Sequence, residues 1–368
     1  MRVLVYGFGG GFVGGIKTFL LDMNDNMSGD CFFDYVVDDK RCERESDINA
    51  RGGKLFLISE RKHIFKNMGD WWKLLRKHKS TSNIIYFNLS SMNYPVPVLL
   101  AKMNGYKIIL HAHCNGYLHN RIIHKVAHCI GRIILSIFKF TLLTNSVASA
   151  QFMFGNKKAK SAILINNAID ANKFKFDLDT KLKMKNLLGI QNKNVVGFVS
   201  RISEKKNPMF LIDIFNAMEK IDPNIILLVV GDGDLLQKVK DYSNELGLKE
   251  KVIYTGACLN VVDYYQTMDV FLLPSSVEGF GTVLVEAQAL GIPCLATEGV
   301  VPKEVDITGL LQYVPLDNNP DKWAVIALEA IKRDKKYYQN KSLIEGTAFD
   351  IKKEALVLEK ALFDCANA

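Results

Sequence analysis

Two carboxylates, Glu278 and Glu286, stand eight positions apart in the stretch 272–297, LLPSSVEGFGTVLVEAQALGIPCLAT. Glu278 lies in a loop with Gly279 and Gly281, and Glu286 falls in the second turn of the apolar-periodic run that follows. A strand, a glycine-rich loop and a helix start make the geometry in which backbone N–H groups and the positive helix end face an anion. Acids beside a phosphate would repel it, so the two glutamates suit a neutral, hydroxylated group such as a sugar ring. Cations for a phosphate lie elsewhere: SRISEKKN, 200–207, puts Arg201 and Lys206 in one loop after an apolar run. Two cations there would neutralise a diphosphate, with Lys205 the neighbour able to substitute.

Histidines supply a third group. HAHCNG, 111–116, follows an apolar run, and residues at the carboxyl end of a parallel strand point to the ligand crevice of an open α/β sheet. An imidazole there can contact a sugar hydroxyl, or can be a satisfied structural histidine. Strand alternation puts His111 and His113 on one side, so both stand as candidates. A His-x-His pair can bind a metal, but no carboxylate stands nearby and His119 lies beyond a glycine-containing loop; no metal is expected. Gly9, Gly11 and Gly14 satisfy GxGxxG, and the next apolar run ends in Asp38 and Asp39. That pattern fits a dinucleotide site. A flexible glycine-rich loop with no nicotinamide cofactor is the preferred reading, since glycines after a first strand serve any doubly wound domain.

Elements must position these groups. Apolar runs at 2–6, 31–37, 54–58, 83–89, 107–110, 140–145 and 162–165 read as strands separated by helical segments. The lysine-rich stretch 170–194 is the candidate linker, and alternation resumes at 195–200, 225–230, 251–254, 270–273 and 293–296. Two doubly wound parallel sheets follow. VGDG, 230–233, reads as a tight turn at a sheet edge. Boundaries are expected at 1–170 and 171–350, with a terminal helix at 351–368 that crosses back to brace the first domain. Two segments, 63–79 and 121–140, mix Trp, Ile and Leu with Lys, Arg and His, as interfacial helices do; each can equally be an ordinary amphipathic helix packed on the sheet.

Composition narrows the class. At 368 residues the chain exceeds what one core usually holds. A net charge of +8 is only moderately basic and alone does not separate nucleic acid, an anionic membrane surface and an anionic substrate as partners. Seven scattered cysteines without CxxC spacing read as buried free thiols of a reducing compartment. The start, MRVLVYGFGGG, lacks signal-peptide character, and the longest apolar run, 130–143, is broken by Arg132 and Lys139. The expected location is cytoplasmic, peripheral at the inner face of the membrane.

Together the glycine-rich first loop, HAHCN, INNAID, SRISEKKN, VGDG, YTG and EGFGTVLVE resemble the retaining glycosyltransferases of family 4, in order and spacing over nearly the whole chain. The HxH pair and TEGVVPKEVD are similar to the branch that builds capsular polysaccharide and exopolysaccharide. The resemblance implies an α/β GT-B fold of two facing Rossmann-like domains. It implies a hexosyltransferase-type enzyme moving sugar from a UDP-linked donor to a lipid-linked or growing glycan, without metal, resident cofactor or nucleic acid. Residue by residue, Glu286 would hold the ribose hydroxyls. Glu278, with N–H groups around Phe280 and Gly281, would hold the sugar. Arg201 and Lys206 would grip the diphosphate beside the helix start at Thr282 and Val283. Gly14 and Gly15 would let the first domain close on the phosphates. Ala257 would border the base, and His113 (or His111) would sit beside the sugar. Ser200 stands where members usually carry Gly. Two other classes remain: a nicotinamide-dependent oxidoreductase resting on Gly9, Gly11 and Gly14, and a non-catalytic nucleotide-sugar or glycan binder of the same fold.

Overall fold

The computed structural model describes residues 1–9, 15–117, 121–258, 260–317, 319–332 and 341–367. The chain divides into two compact units, Met1–Ala168 with Ala348–Ala368, and Ile169–Thr347.

The first unit runs β1 (Arg2–Tyr6), α1 (Gly15–Asp25), β2 (Phe32–Val37), α2 (Glu45–Ala50) and β3 (Leu55–Leu57). It continues with α3 (Ile64–His78), β4 (Ile84–Leu89), α4 (Val96–Met103) and β5 (Lys107–Ala112). Next come α5 (Ile122–Ser136), β6 (Thr141–Thr144), α6 (Val147–Ala159) and β7 (Ile163–Leu164). All seven strands are parallel, in the order β3-β2-β1-β4-β5-β6-β7. Strand order reverses between β1 and β4, the position outside which open α/β sheets bind ligands.

The second unit repeats the plan with α7 (Leu178–Leu187), β8 (Asn194–Val199), α8 (Pro208–Ile221), β9 (Ile225–Val230) and α9 (Leu236–Glu245). After these come β10 (Val252–Gly256), α10 (Val262–Thr267), β11 (Val270–Leu273) and α11 (Thr282–Ala289). The unit closes with β12 (Cys294–Thr297), β13 (Leu311–Val314) and α12 (Pro320–Lys332). Six parallel strands are ordered β10-β9-β8-β11-β12-β13, so the switch point falls between β8 and β11. The last helix, α13 (Ile351–Asn367), belongs to the first unit, where Ile351, Ala355, Leu358 and Leu362 share a core with Phe19, Leu20 and Met23 of α1. Glu354 of α13 accepts from the backbone N–H (3.0 Å) and side-chain amide (3.0 Å) of Asn166.

Helices of the first unit fall on both faces of its sheet. One core joins α1 and α13, and the other joins Trp71 and Leu75 of α3, Val98 of α4, Leu135 of α5 and Met153 of α6.

Three expectations change. The stretch 170–194 is no linker, because α7 is anchored in the second unit. Lys181 and Lys185 pair with the buried Asp269 at 3.2 and 3.3 Å, and Asp177 caps the helix by accepting from Thr180 N (3.0 Å). VGDG does not lie at a sheet edge, since β9 runs between β8 and β10. The cysteines are free, yet only Cys31, Cys42, Cys294 and Cys365 are buried, and Cys129 is exposed.

Candidate active site

At the second switch point the loops after β8 and β11 are stitched together. The Lys205 carbonyl accepts from Ser276 N (2.9 Å), Val277 N (3.3 Å) and Ser276 Oγ (3.2 Å). Lys206, in a 3-10 turn over Glu204–Lys206, forms an ion pair with Glu278. The same carboxylate accepts from Ser275 Oγ (3.3 Å) and from Gly279 N (3.2 Å). Both partners are largely buried, so little water screens their attraction. Arg201 stands differently: it is exposed and pairs with the equally exposed Asp234 at 3.1 Å. A solvated pair of that kind contributes little and separates easily.

Asn207 ends the Lys206 turn in the left-handed region, with φ 52°, alone among the described non-glycine residues. Asn tolerates that region better than most side chains, and Pro208 behind it disfavours the right-handed alternative. It turns the chain sharply into α8.

VGDG braces the cation loop. Gly231 has φ +138°, and a Cβ on it would lie 1.9 Å from the Ser200 carbonyl oxygen. A Cβ on Gly233 would lie 2.3 Å from the Ile202 carbonyl oxygen. Ile202 N donates to Asp232 O (2.9 Å), and Gly231 N to Gly256 O (2.9 Å). Only bare backbone lets the loop bearing Arg201 lie this close. Gly281, with φ +92°, caps the start of α11, and its carbonyl accepts from Leu284 N (2.8 Å). The N–H groups of Thr282 and Val283 therefore begin a helix without an acceptor inside it. Phe280 is a buried core side chain and can offer a ligand only its backbone, whereas Ala257 is exposed just after β10.

Glu286 faces a fully buried tyrosine: Tyr265 Oη donates to Glu286 Oε2 at 2.8 Å, with Val283 O at 3.3 Å. Burial first, and then the Glu286 charge, raise the Tyr265 phenol well above its ordinary range, so it stays a donor. Sequence reasoning missed Tyr265, because no local pattern links 265 to 286.

The first switch point gathers the other candidates. Gly7, with φ +106°, lies so close to β4 that a Cβ would stand 2.2 Å from the Asn88 carbonyl oxygen. His111 and His113 do lie on one side, their rings 4.0 Å apart, each edge-on to Phe19 at 5.5 and 5.4 Å. His111 is fully buried and bonded through Nδ1 to the Tyr86 hydroxyl. His113, just past β5, donates from Nε2 to Asn88 Oδ1 (2.8 Å), and its carbonyl accepts from Asn145 Nδ2 (3.3 Å). Burial depresses both imidazoles, His113 to about 3 and His111 well below the usual value, so both are neutral at pH 7. Asn88 was not anticipated; it puts the His113 proton on Nε2 and leaves Nδ1 an acceptor.

Gly15 opens α1, while Gly11 and Gly14 lie outside the described residues, as does His119. Asp38, the acid of the dinucleotide pattern, is already held by Tyr6 Oη (2.8 Å) and Arg61. Among the described residues no group of three His, Cys, Asp or Glu side chains is gathered as for a metal.

Comparison with known proteins adds a family context. Residues 179–342 match the family model described as glycosyl transferases group 1. A Bacillus subtilis (strain 168) protein named as a glycosyltransferase, EpsF, is 29% identical over 203 residues, 52% of this chain and 53% of its own. An Escherichia coli UDP-Gal:alpha-D-GlcNAc-diphosphoundecaprenol alpha-1,3-galactosyltransferase is 28% identical over 138 residues, 36% of each chain. This chain thus spans about half or less of the length of these curated relatives. Among solved structures, Anabaena Alr3699/HepE in complex with UDP and glucose superposes with a TM-score of 0.79 at 19% identity, covering 100% of both chains. The architecture is GT-B: two Rossmann-like units, each on a parallel sheet.

Proposed function

We propose that the protein is a retaining glycosyltransferase of family 4 that moves a sugar from a UDP-linked donor to a lipid-linked or growing glycan. Its place would be capsule, exopolysaccharide or lipopolysaccharide synthesis at the cytoplasmic side of the membrane. The observation that carries the proposal is the ion pair of Lys206 with Glu278 at the second switch point, beside the start of α11. A relative named for UDP-Gal and a diphosphoundecaprenol-linked acceptor, and a structural neighbour solved with UDP, support the donor and acceptor classes.

Chemistry follows from charge. Breaking the bond between the anomeric carbon and the diphosphate oxygen leaves negative charge on the departing oxygen. Preorganised cations and amides aimed at that charge are the largest available term in lowering the barrier. Lys206, fixed by Glu278, supplies a positioned cation; Arg201 supplies a second one, released from its solvated partner Asp234. The N–H groups of Thr282 and Val283 complete the set. With that much positive charge the step requires no metal. The acceptor hydroxyl attacks on the face the diphosphate leaves, and its proton passes to the leaving phosphate oxygen, which accounts for retention without a carboxylate nucleophile.

Other roles are shared out by chemistry. Glu286, oriented by Tyr265, accepts from the ribose hydroxyls, Ala257 borders the base, and Glu278 adds donor-sugar hydroxyls to its hold on Lys206. His113, neutral and with Nδ1 an acceptor, receives a sugar hydroxyl. Calorimetry with UDP and with NAD tests the proposal: UDP binding without NAD binding is expected, and the reverse would replace it with an oxidoreductase.

A further inference from the structure

Helix α5 turns its apolar side outward. Ile122, Ile123, Val126, Ile130 and Ile133, with Ile137 just beyond the helix, are each between 50% and 78% exposed. Their spacing of three and four places them in one row along the helix. Monomeric proteins seldom leave a contiguous row of aliphatic side chains in water without a use for it.

The orientation is anchored. His128, on the opposite side, accepts from Met92 N (3.1 Å) through Nδ1. A Cβ on Gly131 would lie 1.8 Å from the Met92 carbonyl oxygen, so this side of α5 lies backbone to backbone on the body of the unit. Leu135 fills the core behind it. Rotating the helix to hide its isoleucines would expose Leu135 and break both contacts with Met92.

Charge identifies the occupant. From residue 71 to residue 169 the chain has thirteen Lys and Arg and not one Asp or Glu. Arg121, Lys125 and Arg132 flank the isoleucine row on one side of α5, and Lys139 follows the helix. The cavity behind its C-terminal end, about 240 Å³, has walls that include Leu135, Phe140 and Met153, and Arg132, Lys139 and Lys158 also line it. Two copies meeting through such faces would bring cations against cations. A nucleic acid would satisfy the cations but not the isoleucines. A bilayer with acidic headgroups satisfies both. At 15 residues α5 is about 22 Å long, too short to cross the hydrocarbon, and no described helix is long and apolar enough to do so.

We propose that α5 is an interfacial helix that beds its isoleucine row into an anionic lipid leaflet, with Arg121, Lys125 and Lys139 on the headgroups. This gives the lipid-linked acceptor proposed above a place to be met, yet it stands on lipid binding alone, so either proposal can fail while the other holds.

Flotation of the full chain with phosphatidylcholine vesicles, with and without about one third phosphatidylglycerol, tests it. Wild type should float with the anionic vesicles and bind neutral ones on the order of 100-fold more weakly. Ile130→Ser with Ile133→Ser should lower binding to anionic vesicles about tenfold or more. Arg121→Gln, Lys125→Gln and Lys139→Gln together should lower it on the order of 100-fold, at roughly fivefold for each charge. All five side chains face solvent wholly or in part, so melting temperatures should match wild type. Equal binding to both vesicle types, or wild-type binding by the isoleucine variant, overturns the proposal. A wild-type dimer in sedimentation equilibrium that the isoleucine variant loses also overturns it, and assigns the face to a second copy.

Discussion

The Lys206 ammonium and the Glu278 carboxylate form an ion pair that ties the loop after β8 to the loop after β11, the two strands at which the second sheet reverses order. In the proposed reaction the cation that serves the leaving diphosphate is thereby held in position before any substrate arrives, and the carboxylate that holds it is itself fixed by Ser275 and Gly279.

Glu278→Gln should therefore lose turnover through Lys206 as well as through the sugar. We expect kcat to fall about 100-fold, in the range of losing one preorganised group at a developing charge, with UDP affinity changing far less. Steady-state kinetics beside calorimetry with UDP checks it. Equal losses in kcat and in UDP binding would assign the pair to ground-state binding.

The bond between Tyr265 and Glu286 leads to a graded prediction. Glu286→Ala should weaken UDP binding by about 1.5–3 kcal/mol, the worth of a hydrogen bond to a charged group. Tyr265→Phe, which removes only the orienting hydroxyl, should cost about 1 kcal/mol, measured by the same titration. Unchanged affinity in Glu286→Ala would remove the ribose role.

His113 and His111 titrate below their ordinary value in the folded chain, His113 at about 3. The unfolded chain, with histidines near 6.5, thus binds more protons than the folded one as pH falls below that value. Stability contributed by this difference is intact above about pH 6.5 and is lost on acidification towards pH 3, at up to about 1.4 kcal/mol per pH unit for each histidine. Urea unfolding at pH 7, 6 and 5 should show that slope, reduced in His111→Phe. Activity between pH 6 and 8 should show no ionisation from His113.

Gly231 and Gly247 both have positive φ, but only Gly231 faces a carbonyl, at 1.9 Å from the position of a Cβ. Gly247→Ala should cost about 1 kcal/mol from backbone conformation alone. Gly231→Ala should cost more, about 2–4 kcal/mol, and should weaken UDP binding by displacing the loop of Arg201. Thermal unfolding and calorimetry on the two variants make the comparison.

Much of this was legible in the chain itself. Apolar runs ended by glycines and separated by helical periods conveyed two doubly wound sheets, because buried parallel strands leave that pattern in local composition. Strand β13 was missed, since LQYV is short and polar at its second position. Helix α7 hid in a lysine-rich run that reads as solvated, and its anchor, Asp269, lies far along the chain, just before β11. At the site, residue types were legible and partnerships were not. Nothing local in VGDG says that its glycines press on Ser200 and Ile202, nor does HAHCN say that Asn88 orients His113. Such contacts join distant segments, and only the fold brings them together.

The most direct measurement is UDP release from a panel of UDP-sugars by wild type and Lys206→Ala, in the presence of a chelator and with lipid-linked acceptor supplied. One donor should turn over in wild type, and Lys206→Ala should slow it about 100-fold while UDP affinity changes less than about tenfold. Turnover unaffected by Lys206→Ala, or nucleotide binding with no turnover of any donor, would contradict the role given to the Lys206–Glu278 pair.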